Sequence, residues 1–422
     1  MIILQRIDQN GLKLNIFLNL SYFISKRISE KGTNSFSGMI HKIAIASIGI
    51  GLGIMIISFL ILKGFQLKIQ EKIISFGGHL QVTKFTLSRS YEEDPISKEL
   101  ALFQDHSDYD YIDHIQEFTN KAVLLKANET VEIAVLKGIS ERFDRSKFEQ
   151  NITKGAFPDF TTETYSTEIM ISQSKADKLL LEVGDETLLY FIQDPPRVRK
   201  MTISGIYETG MEDFDEKIIL GDIRLVQHIN NWPDSLVGGF EIFLNNFKSA
   251  DYYQAELEDV VGYELYVEKI SDKYAEIFDW LALLNRNVVI FLSLTLFVAC
   301  FNMISILLIL IMERTHMIGV FKALGAANKL IRRIFVFNGM RLIAKGLIVG
   351  NIIGITFGIL QSKLKFLTLD PKSYYMEFVP IEWNWGIIVL LNALTFVVVS
   401  LVLLVPTMII SKISPIKSIR FD

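Results

Sequence analysis

Four long stretches of the sequence contain no Asp, Glu, Lys or Arg. Each is near or above the roughly 18–20 apolar residues that cross a lipid bilayer as one helix. A chain with four such stretches is predicted to be an α-helical membrane protein with four transmembrane helices, and a soluble enzyme is excluded. The stretches are Ile43–Leu62, Asn287–Met312, Gly346–Ser362 and Gly386–Ser411.

The charges between these stretches predict the orientation. Residues 1–42 carry a net charge of +4, residues 313–345 carry +6 and residues 412–422 carry +2. The whole chain carries −4 and residues 363–385 are balanced, so residues 63–286 carry −16. Because basic flanks stay in the cytoplasm, we expect both termini and the 313–335 loop inside, and residues 63–286 outside.

These two patterns divide the chain into nine segments. The segment Leu12–Ile28 is predicted as an interfacial amphipathic helix, with a buried helix of a cytoplasmic cap as the alternative. The predicted order is a cytoplasmic N-terminal segment 1–42, transmembrane helix 43–62, an outer domain 63–286 with stalks, transmembrane helix 287–312, a cytoplasmic loop 313–335, transmembrane helix 336–362, an outer loop 363–385, transmembrane helix 386–411 and a cytoplasmic tail 412–422.

The large outer domain, inserted between transmembrane helices 1 and 2, is predicted to be mixed α/β. Short alternating stretches typical of strands occur between helical patterns, and Asp222 is a candidate N-cap. This alternation favours layered α/β packing over a β-sandwich. The predicted strands are His79–Phe85, Val131–Leu136, Glu168–Ser172, Thr187–Ile192, Lys200–Tyr207, Lys217–Leu220, Phe240–Leu244 and Tyr263–Lys269.

Apolar residues at helical spacing continue beyond the first stretch and begin ahead of the second. Phe65, Ile69 and Ile73 recur every four residues. An unbroken helix over Asp272–Met312 has 41 residues and a length of roughly 60 Å, about twice the ~30 Å hydrocarbon core. We therefore expect two helical stalks outside the membrane; the alternative is a long core helix with a kink.

Motifs for enzyme chemistry are absent from the sequence. The dipeptide Gly-Lys never occurs, so there is no P-loop for ATP, and neither H-E-x-x-H nor G-x-S-x-G is present. The single cysteine, Cys300, has no partner for a disulfide. We expect no catalytic residue, no metal site and no cofactor, and no nucleic acid among the partners.

Glycines recur every fourth residue in two of the predicted transmembrane helices. Such spacing permits close helix–helix contact, although chance enrichment of glycine in membrane helices is the alternative. The predicted packing faces are Gly346, Gly350, Gly354 and Gly358 in the third helix and Gly49 and Gly53 in the first.

The cytoplasmic loop Met312–Phe335 is patterned as a docking surface. A short amphipathic helix is predicted over Thr315–Leu324, ended by Gly325, and a basic helix over Lys329–Phe335 leads into the third span. The apolar side chains of Ile318 and Phe321 are predicted to be its anchors. A mere re-entry turn does not need this patterning, so we expect the loop to bind a soluble protein.

This loop and the chain end resemble the C-terminal module of FtsX-like ABC permeases. In that module the second span ends in an acidic–basic pair, followed by a segment of the form I-x-x-x-[RK]-A-x-G-A. The matching residues here are Glu313, Arg314, Ile318, Lys322, Ala323, Gly325 and Ala326. The end of the chain is similar to the family's closing pattern through Pro406, Lys412, Pro415, Ile419, Arg420 and Asp422.

Two further segments carry the resemblance across the chain. Lys63-Gly64-Phe65 matches a [NK]-G-F pattern after the first span. A segment of the outer domain that begins at Gly205, GIYETGMEDFDEKIIL, is similar to one region of the MacB-type permeases that release lipoproteins, LolC and LolE. The chain is thereby identified as a member of the FtsX-like permeases.

The resemblance implies the permease subunit of a type VII, or mechanotransmission, ABC transporter in the cell inner membrane. A separate cytoplasmic ABC ATPase would supply the energy, and a second permease, the same or a related chain, would complete the membrane part. The residues implied to couple to the ATPase are Glu313, Arg314, Ile318, Phe321, Lys322 and Gly325. Lipoprotein-releasing members extrude a lipidated protein towards a periplasmic carrier.

Two questions stay open from the sequence. The hook with which LolC captures the carrier is replaced here by a short link, about Gln193–Arg199, so recruitment of a carrier is undecided. A regulator of periplasmic cell-wall hydrolases, as in FtsX itself, is the alternative function. Phe59, Leu62, Phe65 and Phe291 at the outer ends of the first two spans are a candidate lipid cleft; the alternative is that they are plain bilayer or packing residues.

Overall fold

The computed structural model describes residues 23, 36–86, 90–104, 109–161, 164–370 and 374–413. The predicted interfacial helix Leu12–Ile28 lies outside these residues, apart from residue 23. The chain divides into two compact units. We call them the membrane unit, residues 1–65, 282–367 and 379–422, and the outer unit, residues 66–281 and 368–378.

The main helices of the described residues differ strongly in length. Four of them are long and apolar enough to cross a membrane, which confirms the predicted fold class. One-turn helices lie at Ala101–Gln104, Arg145–Phe148, Glu212–Asp215, Ile270–Lys273 and Leu404–Thr407. The longer helices are α1 (Phe36–Gly77), α2 (Gln173–Leu179), α3 (Ile223–Asn230), α4 (Ala250–Val261), α5 (Ala275–Glu313), α6 (Thr315–Ala323), α7 (Asn328–Leu364) and α8 (Trp385–Val402).

The first two transmembrane helices extend well beyond their charge-free stretches. Helix α1 has 42 residues and α5 has 39, so each is about 60 Å long. Neither contains a proline, and the glycines of α1 are accommodated by close packing rather than by a break. Each helix is therefore longer than the ~30 Å hydrocarbon core; that the surplus forms stalks stays a prediction.

The strands of the outer unit form one large sheet and a two-stranded sheet between β2 and β10. The longest strand, β3, has 16 residues and pairs with β11 along its first half and with β4 and β7 along its second half. The strands are β1 (Leu80–Lys84), β2 (Ile96–Ser97), β3 (Ile112–Ala127), β4 (Thr130–Ile139), β5 (Ile152–Gly155), β6 (Glu168–Ser172), β7 (Glu186–Phe191), β8 (Arg197–Tyr207), β9 (Ile218–Asp222), β10 (Leu236–Val237), β11 (Gly239–Leu244) and β12 (Leu265–Lys269).

Six of these strands close on themselves. The pairings run β3–β4–β9–β6–β8–β7 and return from β7 to β3. The inward side chains of this ring form one apolar core together with side chains from α2 and α3. The strands β12, β1, β11 and the first half of β3 form a second core under α4. The outer domain is α/β as predicted, but a closed ring replaces the simple layers expected from the sequence.

Side-chain caps fix the helix starts in the outer unit. Asp222 accepts a hydrogen bond from the Arg224 amide at the start of α3, which confirms the predicted N-cap. Ser172 caps α2 in the same way through the Lys175 amide. Both caps are the last residues of strands in the ring, β6 and β9, so each helix is held against the sheet from its first turn.

Candidate functional site

The glycines of α7 lie against apolar side chains of α1 in a regular register. A Cβ atom added at Gly346, Gly350 or Gly354 would come within 2.7–2.8 Å of Ile48, Leu52 and Ile56, respectively. The contacted residues also recur every fourth position, and both series increase in the same direction. The two helices therefore run parallel, as the first and third spans of a four-span chain must.

The contact is reciprocal. A Cβ atom at Gly49 would lie 2.8 Å from Val349 Cγ1, and one at Gly53 would lie 3.0 Å from Ile353 Cγ2. Gly358, at the end of the series, faces Leu60 and the ring of Trp383. The glycine faces thus pack helices of the same chain against each other, and side chains of one helix fill the spaces left by the glycines of the other.

Amide side chains join the transmembrane helices at two further points. Asn351 on α7 and Asn392 on α8 each donate to the other's side-chain oxygen, at 2.7 and 3.0 Å. Asn302 on α5 donates to the hydroxyl of Ser47 on α1 at 2.8 Å. Hydrogen bonds of this kind hold membrane helices together because lipid offers no alternative partner. Sequence analysis missed both pairs, because a single polar residue in an apolar stretch does not reveal its partner.

The loop between α5 and α7 is a short helix held firmly to the membrane unit. Helix α6 covers Thr315–Ala323, close to the predicted range. It ends at Gly325, whose φ of +84° is the left-handed conformation for which glycine was expected there. The Gly325 amide donates to the Lys322 carbonyl and the Ala326 amide to the Phe321 carbonyl, which together form a Schellman motif.

Two residues predicted to couple to an ATPase face the interior of the chain instead. Ile318 is 0% exposed and belongs to the membrane-unit core, and Phe321 packs partly against the same core. This corrects the expectation that Ile318 offers apolar area to a partner. The ammonium of Lys322 donates to the carbonyls of Ile410 and Ile413 at 2.6 and 2.7 Å, so it fastens α6 to the end of the fourth span.

A different face of α6 is open. Val320 is 37% exposed and Leu324 is 79% exposed, and His316 is exposed one turn before Val320. We call His316, Val320 and Leu324 the open face; they recur every fourth residue and so lie on one side of the helix. Of the charged pair ahead of the helix, Glu313 is exposed and Arg314 is half-buried at the N-cap position.

The four residues of the candidate lipid cleft do not form one accessible surface. Leu62 is 5% exposed and Phe65 is 8% exposed, so both are buried within the chain. Phe59 packs partly against a core formed with α8, and only Phe291 is substantially exposed. Large apolar side chains at a helix end pack in the core as readily as they face lipid, and sequence alone does not separate the two cases.

In the outer unit, the segment that resembles lipoprotein-releasing permeases forms a turn organised by Asp215. This buried carboxylate accepts hydrogen bonds from the Thr209 amide, the Thr209 hydroxyl and the Gly210 amide at 2.7–3.1 Å. Gly210 has a φ of +70°, and Tyr207 donates its hydroxyl proton to the Ile218 carbonyl at 2.7 Å. Burial raises the pKa of Asp215, and the hydrogen bonds from Thr209 and Gly210 oppose this shift.

The outer end of α1 is anchored near this turn. The ammonium of Lys72 donates to the Thr209 carbonyl and to the Tyr375 carbonyl, both at 2.5 Å. One helical turn further on, the ring of Phe76 stacks on Phe214 with 4.6 Å between centroids and also contacts Phe148 and Tyr207. Helix α1 therefore ends within the outer unit in a polar contact followed by an aromatic one.

A buried charged pair lies next to this anchor. Glu241, on β11, accepts from Lys137 at 2.6 Å, from Gln116 at 2.8 Å and from Gln81 at 3.1 Å. Lys137 also donates to the carbonyl of Phe76, the last turn of α1. Lys273, directly ahead of α5, donates to the side-chain oxygen of Gln81 at 2.6 Å. This network connects the ends of both long helices to the sheet.

Within the residues that the structure describes, no group of three or more His, Cys, Asp or Glu is arranged to hold a metal ion. Cys300 is buried in α5. Three features of the described residues stand out: the glycine packing of α1 and α7, the open face of α6 and the anchored end of α1.

Two protein families match the chain in complementary regions. The MacB-like periplasmic core domain matches residues 43–260, and the FtsX-like permease C-terminal domain matches residues 289–415. In solved structures, the periplasmic region of MacB from Actinobacillus actinomycetemcomitans aligns over 50% of this chain and 97% of that one, with 14% identity and a TM-score of 0.35.

Characterised relatives align over most of their length. The "Lipoprotein-releasing system transmembrane protein LolE" of Haemophilus influenzae is 21% identical over 87% of this chain and 91% of its own. Proteins named LolC of the same system align similarly: that of Buchnera aphidicola is 23% identical over 90% of this chain and 92% of its own, and that of Neisseria meningitidis is 21% identical over 97% and 99%. This multi-pass membrane protein belongs to the FtsX-like permeases that carry a MacB-like periplasmic core domain.

Proposed function

We propose that the chain is the permease subunit of an ATP-driven mechanotransmission ABC transporter that extracts lipoproteins from the outer leaflet of the inner membrane. The observation that carries this proposal is the open face of α6. It presents apolar side chains from the most basic loop of the chain, on a helix that its own core and Lys322 hold in place. The relatives named as lipoprotein-releasing proteins support the choice of client.

The proposed orientation has both termini and α6 in the cytoplasm and the outer unit in the periplasm. It rests on the +12 and −16 charge partition of the sequence. Single cysteines at the exposed positions Glu129 and Asn328, in a Cys300→Ala background, test it. An impermeant thiol reagent applied to intact cells should label Glu129→Cys only; labelling of Asn328→Cys alone would contradict the orientation.

A separate ATPase would bind the open face of α6. The sequence contains no P-loop, so ATP hydrolysis is assigned to another subunit. A partner that closes on ATP would push a helix that Lys322 already fixes to the chain after α8, at Ile410 and Ile413, and that Ile318 fixes to the core. Movement of the ATPase would then be transmitted to the transmembrane helices, because α6 is not a flexible loop that absorbs it. A second permease would complete the assembly.

The proposed client is a lipidated protein, and a periplasmic carrier would receive it. The link between β7 and β8 spans only residues 192–196, so any carrier must be held by other surfaces than a long hook. The alternative function is a transmembrane regulator of cell-wall hydrolases, which shares the FtsX-like C-terminal domain. The two functions differ in whether ATP hydrolysis releases a lipidated protein or activates a hydrolase.

Substitutions on the open face test the ATPase contact. Apolar anchors of an interface cost about 2 kcal/mol or more when removed, so Val320→Asp and Leu324→Asp should each weaken ATPase binding at least tenfold while the permease still reaches the membrane. Glu313→Gln is the matched control, because an exposed charge contributes about 0–1 kcal/mol. The measurement is co-purification of the ATPase together with its hydrolysis rate. Normal binding in the Val320→Asp, Leu324→Asp double variant would refute this docking surface.

A further inference from the structure

The ammonium of Lys72 joins three parts of the outer unit that are far apart in sequence. Lys72 belongs to α1, Thr209 to the turn after β8, and Tyr375 to the loop between the third and fourth spans. Its two acceptors are both main-chain carbonyls at 2.5 Å, 137 and 303 residues away along the chain. A lysine suits this position because its ammonium has three donors that can bond in different directions.

The turn that contains Thr209 is held by its own hydrogen bonds. Asp215 fixes the amides of Thr209 and Gly210 and the hydroxyl of Thr209, so the Thr209 carbonyl is left to accept from Lys72. Gly210 also contacts the Tyr375 segment closely, since a Cβ atom there would lie 3.1 Å from the Tyr375 carbonyl oxygen. The three segments therefore meet at one point.

The contact lies in a partly buried and negatively charged environment. Burial lowers the pKa of Lys72, and the charges of Asp215, Glu208 and Glu377 oppose this shift. One turn away, Phe76 is held between the rings of Phe214, Phe148 and Tyr207. The aromatic contact of Phe76 fixes the helix end to the ring of strands. The contact of Lys72, unlike that of Phe76, also reaches Tyr375.

We propose that Lys72 is a positioning residue of the transport stroke, which ties the outer end of α1 to the Thr209 turn and to the Tyr375 loop so that all three move together. This inference rests on the proposed function, in which movement of the transmembrane helices does work on the outer domain. Loss of the ammonium would remove the bonds from α1 to the Thr209 turn and to Tyr375, while the Phe76 contacts remain. The Tyr375 loop would then follow the movement of the helix less closely.

The matched control is one turn earlier on the same helix. Lys68 forms an exposed ion pair with Glu71 and has about half of its side chain in solvent. Lys72→Met removes the ammonium and keeps the apolar stem, Lys68→Met does the same at the control position, and Lys72→Arg restores donors. If Lys72→Met does not assemble with its partners, Lys72→Gln, whose shorter amide cannot reach both carbonyls, replaces it.

The first readout is the number of lipoproteins released per ATP hydrolysed by the complete complex. Coupling between sites is commonly worth a factor of about 5 or more, so Lys72→Met should lower this ratio at least fivefold. Lys68→Met should leave the ratio unchanged and Lys72→Arg should recover it. A wild-type ratio in Lys72→Met, or a ratio equally low in Lys68→Met, would overturn the proposal.

The second readout is independent of the client. Hydrogen exchange of residues 205–215 and 374–378 is compared with and without ATP and vanadate in the same complexes. The ATP-dependent difference in these segments should disappear in Lys72→Met while it persists in residues 66–77. If the difference is retained, Lys72 does not couple the segments. A third outcome separates the two proposals: the wild-type complex releases no lipoprotein, but Lys72→Met still abolishes the ATP-dependent difference in exchange. In that case the proposed client is wrong, and the role of Lys72 in linking the three segments is supported.

Discussion

Replacing Gly350 by alanine tests the packing of α1 against α7 most sharply. A Cβ atom at this position would lie 2.8 Å from Leu52 Cβ and 2.9 Å from the Gly49 carbonyl oxygen. Both distances are well below the approximately 3.5–4.0 Å of favourable carbon contacts. Neither atom is the far end of a flexible side chain, so the helices must separate to accommodate the methyl group.

Gly51→Ala is the matched control. A Cβ atom there would meet Thr295 Cγ2 at 3.8 Å and Ala299 Cβ at 4.0 Å, which is ordinary van der Waals contact. Alanine is favoured over glycine in a helix by about 1 kcal/mol, and this gain is common to both substitutions. Overpacking costs about 1–3 kcal/mol, so Gly350→Ala should be less stable than Gly51→Ala by that amount.

The assay is unfolding of the purified chain in detergent, compared at the same protein and detergent concentration. Gly51→Ala should match or exceed the wild type, and Gly350→Ala should fall below Gly51→Ala. Gly354→Leu, which places a large side chain against Ile56, should lower stability further. Equal stability of Gly350→Ala and Gly51→Ala would refute the close contact between the two helices.

Three further predictions concern polar contacts. Glu241→Gln should lower the free energy of unfolding by about 3–5 kcal/mol, because it leaves the buried Lys137 ammonium without a counter-charge. Combined replacement of both residues by Met should recover most of the loss in the same unfolding assay. A wild-type free energy of unfolding in Glu241→Gln would contradict the role of the pair. His79 has its pKa lowered to about 4 by burial and by Lys147, and its Nδ1 accepts from the Leu244 amide at 2.8 Å. Between about pH 6.5 and pH 4 the folded chain then binds fewer protons than the unfolded chain, so stability should fall as pH is lowered through this range. The thermal unfolding temperature of His79→Asn, which keeps an acceptor, should depend less on pH. The same pH dependence of this temperature in the wild type and in His79→Asn would refute the role of His79. Lys322→Met should increase hydrogen exchange of residues 315–324 several-fold, because charged hydrogen bonds worth about 1.5–3 kcal/mol to Ile410 and Ile413 are lost; unchanged exchange would mean that the core alone holds α6.

The helices and most strands were predictable because their sequence signals are local. The membrane spans follow from the absence of charge, α3 from the Asp222 cap and α6 from its apolar pattern and Gly325. The longest strand, β3, was missed because polar residues occupy its buried positions. Their partners come from elsewhere in the chain: Glu241 for Gln116, Glu92 for Lys121, and the Gly238 amide for the Thr119 hydroxyl.

The candidate site was predictable only to the level of the segment. The loop between the second and third spans was identified, and so was the turn beginning at Gly205, but not which side chains are open. Ile318 and Val320 are both apolar and two residues apart, and only the packing of α6 on the membrane-unit core buries the first and leaves the second exposed. Closure of the six-stranded ring likewise depends on the pairing of β3 with β7, two strands that lie about 60 residues apart in sequence.

Release of a lipidated protein from proteoliposomes tests the central claim most directly. The full-length chain is reconstituted with its ATPase and second permease, and a soluble acceptor captures any released client. The account predicts release that requires ATP hydrolysis and the acyl chains of the client, and that is lost in Leu324→Asp. ATP hydrolysis at the normal rate without release of any acylated protein would contradict it.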